Sequence, residues 1–156
     1  MKTLIYTSAL GLVCMLAEMF NLRRFILPVV ITGLVVIFGI NAISWGTNQS
    51  FYHNMITIDN YSVAFSGLLI LLSIFIVILS GNFYKNEESK ISDYIAITIF
   101  TLCGALAMVS FGNMAMFFLG LEVLSISLYI IAGSKRKDTN SNEAAMKYFL
   151  MGSFAS

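Results

Sequence analysis

One apolar run constrains this chain more than any other stretch. Asn113 to Gly133, NMAMFFLGLEVLSISLYIIAG, is 21 residues long and carries a single charge, Glu122, at its tenth position. An α-helix needs about 20 apolar residues to cross the hydrocarbon of a bilayer. Such a helix puts Glu122 near the membrane midplane, where a carboxylate costs roughly 2.5–3.5 kcal/mol on insertion scales. A polar stretch, SKRKDTNSNE, follows, and then a second apolar run, AAMKYFLMGSFAS, which contains Lys147. An acid and a base therefore lie in adjoining apolar segments.

Composition agrees with a membrane protein. Hydrophobic residues make up 58% of the chain and charged residues 11%, with a mean hydropathy of +0.86. Soluble domains carry about 25% charged residues. The net charge is +1 and no basic face is visible, so nucleic acid is not an expected partner. Cys14 and Cys103 both sit inside apolar runs, and their spacing suits neither a metal nor a disulfide. The opening MKTLIYTSALGLVCM loosely resembles a secretory or lipoprotein signal. Val13 rather than a small residue precedes Cys14, however, and the apolar run continues to Phe20, so it reads as a first span.

Hydropathy and punctuation divide the chain into five complete spans and a truncated sixth: an all-α integral membrane protein, a polytopic helical bundle. The spans are Thr3–Phe20, Phe25–Trp45, Tyr61–Phe83, Asp93–Phe111 and Asn113–Gly133, with the sixth beginning near Asn142 and reaching Ser156. Pro28 falls in the first turn of the second span, where proline does no harm. Asp59 stands where an N-cap belongs. The sixth run covers about 22 Å in 15 residues, against about 30 Å of hydrocarbon, so a longer protein is expected.

Basic residues set an expected orientation. Arg23, Arg24, Lys85, Lys90, Lys135, Arg136 and Lys137 all fall in alternate connections, on one side of the membrane; only Lys2 falls on the other. The positive-inside rule then puts the N-terminus outside.

Glu122 is the first candidate for chemistry. Ser125 and Tyr129, three and seven residues on, share its helical face and form a narrow polar stripe. Lipid offers no hydrogen bonds, so the stripe is expected to face the bundle or an aqueous path. Lys147 is the second candidate, a lysine that can gain or lose a proton as its neighbours change, or snorkel to the interface. Spacing alone leaves open whether the two touch. Glu18 reads as an interfacial partner of Arg23, and Asp138 and Glu143 as loop or first-turn charges facing a helix dipole. His53 has no partner at ligand spacing and reads as a loop residue. No P-loop, dinucleotide-binding glycine motif, nucleophile elbow, cluster-binding cysteine set or haem-ligating histidine pair is present. No catalytic, cofactor-binding or metal-binding residue is therefore assigned.

The two runs FLGLEVLSISLYIIAG and SNEAAMKYFLMGSFAS, joined by a basic loop, resemble the N-subunit family of the proton-translocating NADH–quinone oxidoreductase, respiratory complex I. The segments TIFTLCGALAMVSFGN and ITIDNYSVAF also fit, so the resemblance covers roughly residues 55–156. It implies an antiporter-like fold: residues 1–92 as three leading helices and residues 93–156 as the start of a five-helix repeat. It matches Glu122 to the family's fifth-helix glutamate and Lys147 to its sixth-helix lysine, members of a proton relay. It further implies the inner membrane of a bacterium, and partners among the other membrane-arm subunits and the lipid. NADH, flavin, iron–sulfur clusters and quinone would all be handled in other subunits. A membrane subunit of a multisubunit cation/proton antiporter is the alternative.

Overall fold

The computed structural model describes residues 1–19, 23–83, 91–135 and 138–155. Among these, six helices run in order: α1 (Lys2–Met19), α2 (Arg23–Ile43), α3 (Asn60–Phe83), α4 (Ile91–Val109), α5 (Met114–Ala132) and α6 (Thr139–Ala155). Four carry spans long and apolar enough to cross a membrane, Ile26–Ile43, Asn60–Ser80, Ser92–Val109 and Met114–Ala132; Lys2–Ala17 is a shorter apolar helix.

Local chemistry sets the helix ends. The Ser62 amide donates to Asp59 Oδ1 (2.8 Å) while the Asp59 amide donates to Ser62 Oγ (3.0 Å), a reciprocal cap that starts α3 where the sequence expects it. Asn113 Oδ1 accepts from the Met116 amide (2.9 Å) and starts α5, and Gly133 closes it. Asp138 Oδ1 accepts from the Asn140 amide (3.0 Å), so α6 begins at Thr139, earlier than the apolar run alone suggests. Likewise α2 begins at Arg23, which moves Pro28 out of the first turn and into the helix.

The polar stretch between α2 and α3 is not a plain loop. Strands β1 (Gln49–Phe51) and β2 (Ile56–Ile58) pair antiparallel, with Ser50 opposite Thr57, so the architecture is mostly rather than wholly helical. Tyr52, His53 and Asn54 make the turn with φ of 54°, 54° and 63°, a left-handed conformation that disfavours bulky side chains. The hairpin docks on the turn between α4 and α5. The Thr57 amide donates to the Ser110 carbonyl (3.0 Å), and the Gly112 amide donates to the Met55 carbonyl (2.8 Å). That places the α2–α3 and α4–α5 connections at one end of the bundle, together with the start of α1.

The core centres on α4. Its Ile95, Ile99, Leu102 and Leu106 meet Cys14 of α1, Val30, Leu34 and Ile37 of α2, and Ile70 and Val77 of α3. Between apolar helices in lipid there is little hydrophobic drive, so close packing and internal hydrogen bonds hold the group together. Thr7 is wholly buried and turns its hydroxyl onto the Thr3 and Leu4 carbonyls beside Cys103. Asn41 Nδ2 donates to the Val63 carbonyl (2.8 Å) and ties α2 to α3.

Contact between α4 and α5 is closest of all. A Cβ at Gly104 would lie 2.6 Å from the Leu124 amide nitrogen, and one at Gly120 would lie 2.7 Å from that of Met108. Small residues facing each other let two helical backbones meet in this way. Gly104→Leu and Gly120→Leu are each expected to force α4 and α5 apart, with a loss of at least ~1–3 kcal/mol. Thermal unfolding of the intact membrane protein checks this, and an unchanged midpoint for both variants would contradict the close approach.

Candidate proton-relay site

Glu122 lies on α5 with eight residues before it and ten after, close to the middle of the span. It is half-buried. The buried residues of α5, Gly120 and Ser127, face α4. At 100° per residue, Glu122 points to the other side of its helix, together with Ser125 and Tyr129. The expected polar stripe therefore exists as one face. Its members differ in what they do.

Ser125 turns its hydroxyl back onto the Leu121 carbonyl (2.7 Å), which satisfies it within its own helix. Tyr129 is the docking residue for α6. Its ring meets Tyr148 edge-on at 4.9 Å and Phe149 at 5.6 Å between centroids. Gly152 leaves the space that the Tyr129 ring and hydroxyl occupy, since a Cβ there would overlap the phenol. One turn further on, a Cβ at Gly133 would lie 2.9 Å from Ala145 Cβ, and Ser141 Oγ donates to the Ala132 carbonyl (2.7 Å). Thus α6 packs on the face of α5 that carries Glu122.

Lys147 is not brought to Glu122. Gly133 opposite Ala145 sets the register of the antiparallel pair, which puts Lys147 level with Ile131. Nine residues of helix rise, roughly 13 Å, separate that level from Glu122. Moreover, Lys147 lies on the side of α6 away from Ala145, Tyr148 and Gly152, the residues that meet α5. It is 69% exposed and bonds Glu143 Oε1 at 2.5 Å, one turn back on the same helix. Glu143, read from sequence as a charge near a helix start, is thus the partner of Lys147. The Glu-x-x-x-Lys spacing is the signal that could have found it.

Two charged stations result: Glu122 on the face of α5 turned away from α4, and the Glu143–Lys147 pair on the side of α6 turned away from α5. Opposite charges 13 Å apart attract by only roughly 1 kcal/mol at an effective dielectric of 20. That is well below the roughly 2.5–3.5 kcal/mol needed to place one charge at mid-membrane. Lys147 alone does not offset the burial of Glu122. The side chains of Glu18, Arg23, Arg24, Lys85, Lys90, Arg136 and Lys137 lie outside the described residues, and with them the Glu18–Arg23 pairing. His53 is exposed in the hairpin turn, and Asp138 caps α6.

Residues 111–156, which hold Glu122, Glu143 and Lys147, match the family model described as NADH:quinone oxidoreductase/Mrp antiporter, TM. Over all 156 residues the chain is 59% identical to NADH-quinone oxidoreductase subunit N of Flavobacterium psychrophilum and 57% identical to that of Flavobacterium johnsoniae. Along its whole length the chain is thus similar to subunit N of NADH-quinone oxidoreductase. It spans about a third of those relatives, 34% of the length of each. The fold agrees as well: a chain of the respiratory complex I structure from Thermus thermophilus superposes with a TM-score of 0.82, at 23% identity, over 98% of this chain and 33% of that one. The family match falls on α5 and α6, the two helices whose charged residues stand apart from the α4-centred core.

The packing of α6 on the Glu122 face depends on Tyr129 entering the gap at Gly152. Cysteines at Gly133 and Ala145 are expected to cross-link readily in the otherwise native subunit. Adding Gly152→Leu should cut the yield several-fold, whereas Tyr129→Phe, which keeps the ring, should leave it near native. An equal yield in the Gly152→Leu background would show that α6 docks some other way.

Proposed function

We propose that this chain forms part of a membrane-arm subunit of a proton-pumping NADH–quinone oxidoreductase and contributes to proton translocation without a redox centre of its own. The observation that carries the proposal is identity of 59% along the whole chain to a subunit N. In this reading NADH, flavin, iron–sulfur clusters and quinone belong to other subunits. The other membrane-arm subunits and the lipid of a bacterial inner membrane are the partners. A membrane subunit of a multisubunit cation/proton antiporter is the second reading, favoured only by the shared wording of the family model.

The finer architecture belongs to the same proposal. Helices α1 to α5 are the five complete spans and α6 is the sixth, with residues 1–92 as a leading three-helix unit and residues 93–156 opening an antiporter-like repeat. The N-terminus is outside, and the basic connections are cytoplasmic. In support, the hairpin and the α4–α5 turn, neither of which carries a lysine or arginine, share one end of the bundle. Cysteines placed at Ser50 and Ser134 are expected to label from the outside and the inside respectively. Reaction of the Ser134 site with an impermeant reagent applied outside would reverse the assignment.

Glu122 is the central relay residue in this proposal, and Lys147 a second station held by Glu143, with Ser125 and Tyr129 as supporting neighbours. Because the attraction between Glu122 and Lys147 is small at their separation, each passes charge to its own neighbours. Glu122→Gln keeps shape and some hydrogen bonding but removes the titratable group. It is expected to assemble and to pump fewer protons per electron, with Glu122→Asp retaining more activity. Lys147→Ala should have a smaller effect than Glu122→Gln. The measurement is proton translocation per electron transferred in vesicles holding each variant complex. Full pumping by an assembled Glu122→Gln complex would reduce Glu122 to a structural contact.

A further inference from the structure

The end of the bundle opposite the basic connections contains a buried polar space unrelated to Glu122. On α3, Ser62, Ser73 and Ser80 each donate a hydroxyl hydrogen to the carbonyl three residues back, at 3.0, 2.7 and 2.8 Å. Ser66 is the exception. It is only 6% exposed, and among the described residues its hydroxyl has no protein partner. Asn41 of α2, 4% exposed, uses its amide hydrogen on the Val63 carbonyl and leaves its own carbonyl oxygen without a donor.

Both side chains line a cavity of about 20 Å³ that is also lined by Met1, Thr3 and Leu4, Ile58 of β2 and Ser110 beyond α4. A space of at least ~10–15 Å³ is needed to hold one water molecule, so this one admits a single molecule. A hard cation is excluded on chemistry: it takes about six or more oxygen ligands, usually with carboxylates, and no carboxylate is among the lining residues. An apolar occupant would leave a hydroxyl and an amide oxygen buried and unmatched.

We propose that the cavity is a binding site for one internal water, which accepts the Ser66 hydroxyl hydrogen and donates to Asn41 Oδ1, joining α2 to α3 beneath the first turn of α1. The ligand is neutral and small, and it completes hydrogen bonds that the helices leave open. The pairing also explains why Ser66 alone of these four serines does not bond back to its own helix.

The test is a density map of the complete assembled complex at a resolution that shows ordered water. A peak within hydrogen-bond distance, about 2.6–3.2 Å, of both Ser66 Oγ and Asn41 Oδ1 is expected. Ser66→Val, whose extra methyl groups fill the space, should lose that peak while other internal waters persist. Should that variant not assemble, the native map decides alone. An empty cavity in a map where other internal waters are visible would overturn the proposal. So would a peak ringed by oxygens at ~2.4 Å, which marks a cation, or a Ser66 hydroxyl bonded back to its own helix.

Discussion

The structure depends first on two glycines. Gly104 and Gly120 let the backbones of α4 and α5 touch, and no other residue type fits without separating the helices. In lipid, where apolar side chains gain little by leaving their surroundings, contact of this kind supplies much of the attraction between helices. Because α5 is pinned so tightly on one side, its opposite side has a defined direction. That side carries Glu122, Ser125 and Tyr129. The position of the only charge within the α5 span is thus a consequence of a backbone contact on the far face of the same helix.

A second layer is built on that face by fit rather than by charge. Tyr129 enters the gap left by Gly152, and Gly133 meets Ala145, so α6 lies along α5 in one register. The register keeps Lys147 roughly 13 Å from the level of Glu122. Lys147 instead bonds Glu143 on its own helix, a pairing worth only a few tenths of a kcal/mol in water. Separation of this size keeps the two stations weakly coupled. Weak coupling between Glu122 and Lys147 is the condition that the proposed relay uses.

Much of the architecture is legible in the residues themselves. Apolar runs of 18 or more residues mark the spans, and Asp59, Asn113 and Gly133 mark boundaries through hydrogen bonds that their own side chains or backbone make. Glu122 is conspicuous because burial makes a lone charge expensive. The hairpin at Gln49–Ile58 is less visible, because its strands are three residues each and its turn uses Tyr52, His53 and Asn54 in a conformation usual for glycine. Its hold on the α4–α5 turn rests on two backbone hydrogen bonds, which side-chain identity does not encode, and on Thr57 Oγ1 donating to the Phe111 carbonyl.

By itself, then, the sequence determined that the chain is a bundle of membrane helices, where most of them begin and end, and that Glu122 lies at mid-span. Those outcomes rest on hydrophobicity and on local capping, which act over a few residues. Only the tertiary structure decided which face of α5 looks at α4, that Tyr129 is a packing residue, and that Lys147 pairs with Glu143 rather than Glu122. Each of these turns on how two helices rotate and slide against one another. Such relations are set by close packing between residues far apart in the chain, and a one-dimensional pattern of apolar and polar residues leaves them open.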